Sequence, residues 1–240
     1  MKEDIAIKVE NVSKTFVQHN RGKTIRDRLL SVMKSRNARK IKALDAIDFE
    51  IKKGEFFGII GHNGSGKSTL ISILNQVVPP DKGGKVTVNG TSIRLALGMG
   101  FNKELTARQN IMINASVLGM PMEKIKLEIG KIIEFAELED YIDIPVKYYS
   151  SGMRSKLMFS IAVNAKADIF LMDEFFGGVG DKKYKEKADQ VFHDRLIKGK
   201  TIVHVSHNPG TIEKYCDRVL LLEKGKMVKL GTPDEVLELF

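Results

Sequence analysis

The chain has 240 residues, of which 42% are hydrophobic and 29% are charged, a composition typical of a globular protein and not of a disordered one. Its 39 Lys and Arg exceed its 30 Asp and Glu by nine, which indicates an anionic partner such as a nucleotide, a nucleic acid or lipid headgroups. The single cysteine, Cys216, excludes an internal disulfide and favours a reducing compartment. The longest apolar runs are far shorter than the roughly 20 residues that cross a bilayer, and no export signal is visible, so we expect an intracellular protein.

The first elements of the chain are predicted to be strands that flank a basic segment. Residues 5–9 and 46–51 alternate apolar and polar side chains, a pattern typical of neighbouring strands in one sheet. Between them, Arg21 to Lys40 contains eight basic residues and one acid, a net of seven charges, which leaves the rest of the chain nearly neutral. Its apolar residues recur near one helical face: Ile25, Leu29, Val32 and Met33. This spacing predicts a basic amphipathic helix at about 21–42, with a solvated charged loop as the alternative.

A glycine-rich segment follows the next strand. Residues 56–60 are fully apolar, residues 70–76 have a helical pattern, and between them lies a phosphate-binding loop. Its residues are Gly61, His62, Asn63, Gly64, Ser65, Gly66, Lys67, Ser68 and Thr69. Glycines let successive backbone N–H groups turn toward phosphate oxygens, and the helix N-terminus adds partial positive charge. We expect Lys67 to reach the β- and γ-phosphates and the Ser68 hydroxyl to bind Mg²⁺.

The middle of the chain changes from strand to helix. Residues 85–88 and 91–96 are β-rich and flank Asn89-Gly90, a dipeptide typical of a type I′ turn, so the sequence predicts a hairpin. Over 101–165 apolar residues recur at helical spacing: Ile125, Ile129, Ile132, Ile133 and Ala136. This predicts a helical subdomain inserted into an α/β core. Near its end, residues 149–153 form either an anion-binding cradle at a helix N-terminus or a simple N-cap.

Two further apolar runs carry polar residues at their carboxyl ends, as expected for strands of a buried parallel sheet. Residues 169–172 precede Asp173 and Glu174, and residues 201–205 lie just before His207. With a phosphate loop upstream, Asp173 would hold Mg²⁺ directly or through water, and Glu174 would polarise the water that attacks the γ-phosphate. His207 could hydrogen-bond the γ-phosphate, although a lone histidine at a strand end is more often structural.

These motifs occur in the order and spacing of an ABC transporter ATP-binding cassette, and the chain resembles that family over essentially its whole length. The motifs are Walker A at 61–69, a degenerate LSGGQ signature at 149–153, Walker B ending at Asp173, and the switch histidine His207. The variants at 98–106, 148–154 and 178–181 are similar to those of bacterial polysaccharide exporters, which move O-antigen, capsule or teichoic acid chains. The resemblance implies an α/β P-loop NTPase with a RecA-like parallel-sheet core, an antiparallel β subdomain and an inserted helical subdomain.

The resemblance also implies a domain plan and a membrane partner. One ATP-binding domain would span 1–240, with the core and β subdomain at about 1–95 and 166–240 and the helical subdomain at about 101–165. The chain would lie on the cytoplasmic side of the plasma membrane and drive a separate ABC-2 type permease. We expect the segment from Arg21 to Lys40 to contact the permease, anionic lipid or a lipid-linked glycan.

A nucleotide-bound homodimer is the working state that the resemblance implies. Two copies would bind head to tail around two ATP molecules with Mg²⁺, each nucleotide lying between Walker A of one copy and Ser150, Ser151 and Gly152 of the other. Phe16 would stack on the adenine, and Asp181 would be the D-loop aspartate at the dimer interface. Hydrolysis would then reopen the dimer, and ATP binding would be converted into motion of the permease.

Departures from the wider family pattern leave other functions open. The usual Q-loop glutamine is missing, since residues 95–99 have the sequence LALGM, and the step from Walker B to the D-loop is one residue longer than the common pattern. The same cassette could serve a drug, peptide or other small-molecule exporter. A nucleic-acid-associated ABC ATPase is the weaker alternative, because the chain has one cassette and no heptad array, so we expect no nucleic-acid partner.

Overall fold

A computed structural model describes residues 4–18, 39–95, 101–173 and 182–240, with the backbone alone at 182, 183 and 185. The strands are β1 (Ile5–Gln18), β2 (Arg39–Lys52), β3 (Phe56–Ile60), β4 (Lys85–Val88), β5 (Ser92–Leu95), β6 (Ile169–Asp173), β7 (Thr201–Val205), β8 (Arg218–Glu223) and β9 (Lys226–Gly231). The α-helices are α1 (Lys67–Leu74), α2 (Ala107–Val117), α3 (Met122–Ala136), α4 (Ser151–Ala162), α5 (Lys182–Phe192), α6 (Pro209–Tyr215) and α7 (Pro233–Leu237). None of the helices in these ranges has the combined length and hydrophobicity of a transmembrane span.

The first sheet is antiparallel, with strand order β2-β1-β4. The strands predicted at 5–9 and 46–51 are confirmed, and both extend further, because β1 and β2 pair as far as Gln18 opposite Arg39. The helix predicted over about 21–42 is therefore wrong for residues 39–42, which belong to β2; residues 19–38 lie outside the described residues. Residues 39–42 form their backbone hydrogen bonds with β1 and not within a helix.

The second sheet has the order β5-β6-β7-β3-β8-β9, and all its strands run parallel except β9, which returns antiparallel to β8. This confirms the parallel sheet predicted from the apolar runs. β3 and β7 are buried at every position, because apolar residues cover both faces of the sheet. One face of the parallel sheet packs against α1 and the antiparallel sheet and forms one hydrophobic cluster with them. The other face forms a second cluster with residues of α4, α5 and α6. The chain is thus an α/β fold, as predicted.

The predicted hairpin around Asn89-Gly90 is wrong. β4 pairs with β1 in the antiparallel sheet, whereas β5 pairs with β6 in the parallel sheet. Next to β4, the Asn89 N–H donates a hydrogen bond of 2.8 Å to the Ala6 carbonyl of β1. Next to β5, the Thr91 N–H donates a hydrogen bond of 2.9 Å to the Asp168 carboxylate. The dipeptide therefore links two sheets, because longer-range partners hold the strands on either side of it.

Helices α2, α3 and α4 enclose a hydrophobic cluster of their own. The apolar face predicted for α3 is confirmed, because Ile125, Ile132 and Ile133 are buried there and Ile129 is partly buried. Pro121 lies at the N-cap of α3, and a capping box at Thr106 begins α2. Short 3₁₀ turns at Glu139–Tyr141 and Val146–Tyr148 lead into α4.

Candidate functional site

The glycine-rich loop joins the end of β3 to the start of α1 through a tight backbone path. Gly66, the N-cap of α1, has φ +109°, and a Cβ there would lie 2.6 Å from the Ala43 carbonyl oxygen. Only glycine fits this position, because the backbone of β2 occupies the space that a side chain would need. Since Gly66 has no side chain to cap the helix, the N–H groups of the first turn remain available to an anion.

Hydrogen bonds tie this loop to neighbouring turns. The Ser65 N–H donates to the His62 carbonyl at 3.1 Å, and the Ser65 carbonyl accepts from the Gly225 N–H at 2.9 Å. The Gly225 carbonyl in turn accepts from the Asp45 N–H at 2.8 Å, which connects the loop to β2. The Ser65 hydroxyl is buried and has no hydrogen-bond partner among the described residues. Backbone hydrogen bonds therefore hold the loop in shape.

Lys67 supplies the positive charge of the loop. Its Nζ donates to the Gly61 carbonyl and, at 3.0 Å, to the His62 carbonyl, so the amine lies across the loop. Ser68 follows on the first turn of α1 as an exposed residue. Glycine backbone, an uncapped helix N-terminus and an amine in one loop form a site that suits the phosphate groups of a nucleotide.

Asp173 ends β6 at the same edge of the parallel sheet as the phosphate loop, because the carboxyl ends of parallel strands share one edge. Its side chain is 23% exposed, and its Oδ2 accepts a hydrogen bond of 2.7 Å from Arg94 Nη2. A carboxylate together with the Ser68 hydroxyl offers oxygen donors, which are the ligands that Mg²⁺ prefers. The donor set therefore fits Mg²⁺ bound to nucleotide phosphates.

A pocket beside the loop brings His207 together with the phosphate-binding residues. Gly61, His62, Asn63, His207 and Phe240 line it. The Phe240 ring stacks on the His62 imidazole, with the ring centroids 5.0 Å apart and the planes at 24°. His207 therefore lies next to the phosphate loop, and its hydrogen bond to the γ-phosphate stays a prediction. Sequence reasoning missed Phe240, because only the packing of α7 on the sheet brings this residue to the loop.

The signature residues lie at the start of α4, where the N-cap interpretation is confirmed. The Ser150 hydroxyl accepts from the Met153 N–H at 3.1 Å, and a Cβ at Gly152 would meet only the Ser150 hydroxyl, at 3.8 Å. Tyr149 is buried and donates from its hydroxyl to the Tyr141 carbonyl at 2.5 Å, and burial raises the pKa of Tyr149 to about 12. Among the residues described, no signature residue lines the pocket beside the phosphate loop. Binding of an anion by this segment stays a prediction.

Phe16 projects from the antiparallel sheet with an exposed ring. It pairs with Ile41, two residues before the Ala43 carbonyl that abuts Gly66, and the Lys14 amine lies 5.7 Å from the ring centroid. Phe16 as a whole is 42% exposed, and stacking of its ring on an adenine stays a prediction. Glu174, Asp181 and residues 96–99 of the segment in place of the Q-loop fall outside the residues that the structure describes.

A phosphate loop between a buried parallel strand and a helix, with a carboxylate at the end of a nearby strand, defines a P-loop nucleoside triphosphatase. The family model for the ABC transporter matches residues 44–177. The chain is 37% identical to the O-antigen export system ATP-binding protein RfbB of Klebsiella pneumoniae, over 98% of this chain and 96% of that protein. It is 38% identical to the teichoic acids export ATP-binding protein TagH of Listeria monocytogenes, over 99% of this chain and 70% of that protein.

Solved structures agree on the fold. The ATP-binding cassette MJ0796, solved as a dimer in a post-hydrolysis state with ADP and Pi, superposes with a TM-score of 0.71 and 22% identity, covering 95% of this chain and 98% of that one. The chain belongs to the ABC transporter family.

Proposed function

We propose that two copies of this chain close around two molecules of Mg²⁺-ATP and that hydrolysis powers the export of a polysaccharide through a separate membrane permease. The observation that carries the nucleotide part is that the phosphate loop and His207 line one pocket, while Asp173 ends β6 at the same edge of the parallel sheet. The export part rests on the similarity to proteins of O-antigen and teichoic acid export. We further propose that the whole chain is one ATP-binding domain, with its helical subdomain at about 101–165.

The phosphate loop binds the triphosphate in this proposal. The first-turn N–H groups of α1, left uncapped at Gly66, donate to phosphate oxygens. The Lys67 amine exchanges its two loop carbonyls for the β- and γ-phosphates, because anionic oxygens are stronger acceptors than carbonyls. Phe16 stacks on the adenine, and His207 donates to the γ-phosphate from across the pocket.

Ser68 and Asp173 hold the metal in the same site. When bound, Mg²⁺ would supply positive charge that neutralises the phosphate oxygens. Glu174 follows Asp173 directly in the sequence, and its carboxylate orients the attacking water and accepts its proton.

The second copy completes each site. Ser150, Ser151 and Gly152 would reach the γ-phosphate bound to the other copy, since the open space over Gly152 lets a ligand approach the start of α4. Asp181 would contact the partner at the same interface. We expect a Glu174→Gln variant, which binds but does not hydrolyse ATP, to elute as a dimer with Mg²⁺-ATP and as a monomer without it, and Gly152→Asp to abolish this dimer.

ATP hydrolysis by the purified chain tests the site. Lys67→Ala removes the amine that reaches the phosphates and should lower phosphate release by about 100-fold or more, the scale expected for one lost electrostatic stabiliser. Lys131→Ala is the matched control, because Lys131 lies on α3 with an exposed ion pair to Glu128 and should leave the rate unchanged. Equal rates for Lys67→Ala and the unaltered chain would contradict the proposed site.

The identity of the permease distinguishes polysaccharide export from the export of other substrates. We would isolate the Glu174→Gln variant with ATP from detergent-solubilised membranes of its native cell and identify what copurifies by mass spectrometry. An integral permease that also associates with glycan-synthesis enzymes is the expected result, and it would place the chain on the cytoplasmic side of the plasma membrane. A permease for drugs or peptides would contradict polysaccharide export alone, and recovery of nucleic-acid partners would contradict the transport function.

A further inference from the structure

Arg94 and Asp173 project from the same face of the parallel sheet. β5 pairs with β6 in the register Arg94 opposite Leu171 and Leu95 opposite Met172. Leu95 and Met172 are buried together on one face, so strand alternation puts Arg94, Leu171 and Asp173 on the other. Leu171 packs there in the cluster that contains α1, the helix that begins at the phosphate loop.

The Arg94 side chain is committed to Asp173. Its Nη2 donates to Asp173 Oδ2 at 2.7 Å, and the two side chains are 26% and 23% exposed. Arg94 Nε is buried and has no hydrogen-bond partner among the described residues. Within that part of the chain, the Asp173 carboxylate balances the charge of this partly desolvated guanidinium. A partly buried, charge-assisted hydrogen bond fixes the orientation of a carboxylate better than an exposed one.

We propose that Arg94 is a positioning residue that holds the Asp173 carboxylate in the orientation that binds Mg²⁺ with the nucleotide. The bond to Oδ2 leaves Oδ1 of Asp173 for the metal or for a water bound to it. This inference rests on the proposed function, since it requires Asp173 to be a ligand of Mg²⁺ or of its water shell. Arg94 directly precedes residues 95–99, the segment that lacks the Q-loop glutamine, so this chain would order its metal site from β5 instead.

Two physical effects of Arg94 have opposite signs, and this makes the proposal testable. As a partner that orients the carboxylate, Arg94 strengthens metal binding, and loss of such outer partners commonly costs about 10- to 100-fold in metal affinity or activity. As a cation that competes for the same carboxylate, Arg94 would weaken metal binding, and its loss would raise the affinity. The positioning role predicts the first sign.

The experiment measures how much Mg²⁺ tightens nucleotide binding. The Kd of a fluorescent ATP analogue is determined in EDTA and in excess Mg²⁺, and the ratio of the two reports the metal contribution without any catalytic turnover. We expect Arg94→Met to lower this ratio about 10-fold, with the Kd in EDTA unchanged, and Arg94→Lys to restore part of it. Arg108→Met is the matched control, because Arg108 pairs with Asp143 at an exposed site away from the loop.

Asp173→Asn separates the two levels of the argument. If Asp173→Asn lowers the ratio and Arg94→Met leaves it unchanged or raises it, the positioning role is wrong and the proposed function stands. If Asp173→Asn also leaves the ratio unchanged, the metal role of Asp173 fails and the inference fails with it. Combining Arg94→Met with Asp173→Asn should give no further loss. Should Arg94→Met fail to fold in thermal unfolding, Arg94→Gln carries the same expectations.

Discussion

Gly66→Ala tests whether the phosphate loop depends on the close approach of β2. The new methyl group would lie 2.6 Å from the Ala43 carbonyl oxygen and 2.9 Å from the Leu44 Cδ2 atom, so the loop or the strand must move. It would also force a non-glycine residue into φ +109°. We therefore expect both the stability of the fold and the binding of nucleotide to fall.

The magnitude follows from two costs. Holding a non-glycine residue in a sparsely populated backbone region costs about 1–3 kcal/mol, and inserting a methyl group into a filled space costs about 1–3 kcal/mol more. A loss of about 2–6 kcal/mol is a large part of the roughly 5–15 kcal/mol that stabilises a typical domain. Gly119→Ala is the matched control, because Gly119 has φ +81° but open space around its Cβ position and should show only the backbone cost.

Urea unfolding of the nucleotide-free variants gives the free energies of unfolding by linear extrapolation, and titration with a fluorescent ATP analogue gives the affinity. We expect Gly66→Ala to lose at least about 1 kcal/mol more stability than Gly119→Ala and to bind the analogue at least 10-fold more weakly. Equal losses of stability in the two variants, with unchanged nucleotide affinity in Gly66→Ala, would refute the reasoning.

Three further predictions concern single contacts. The Thr91 N–H and hydroxyl lower the pKa of Asp168 by donating hydrogen bonds to its carboxylate. Asp168 therefore stabilises the fold above its unfolded pKa of about 3.9, and this stabilisation is lost as the pH falls through the folded pKa. Asp168→Asn should reduce the pH dependence of the free energy of unfolding between pH 5 and pH 3. Phe240→Ala removes the stack on His62 and should cost about 1 kcal/mol, with His62→Ala adding nothing in that background; additive losses would contradict this. Ser65→Ala should raise the stability of the nucleotide-free chain by about 1 kcal/mol, because the buried hydroxyl lacks a partner among the described residues; a loss in urea unfolding would contradict it.

The sequence predicted the features that depend on neighbouring residues. The phosphate loop at 61–69 needs glycines, a lysine and a following helix, all of them local, and the apolar strand at 201–205 shows its burial on both faces directly. The hairpin predicted at Asn89-Gly90 is wrong for the same reason. A turn preference depends only on neighbouring residues, whereas β4 pairs with β1 and Thr91 hydrogen-bonds to Asp168, which are distant in the chain. Strand pairing over long separations decided that element.

The candidate site divides in the same way. Lys67 and Asp173 could be found from motifs, because each follows an apolar strand that fixes its place at the sheet edge. Arg94 and Phe240 could not, because their contacts join residues 79 and 178 positions apart in the chain. A basic residue inside the short strand β5 was the available signal for Arg94, and its partner becomes evident only from the register of β5 on β6.

The hydrogen bonds from Asp45 to Gly225 and from Gly225 to Ser65 have a thermodynamic consequence for the strand pair β1 and β2. Residues 19–38 connect these two strands in the sequence. A few residues after that connection, Ala43 of β2 lies against Gly66 of the phosphate loop. Any ligand of the connecting segment that displaces β2 must therefore change the affinity for ATP. By reciprocity, ATP must change the affinity for that ligand by the same factor.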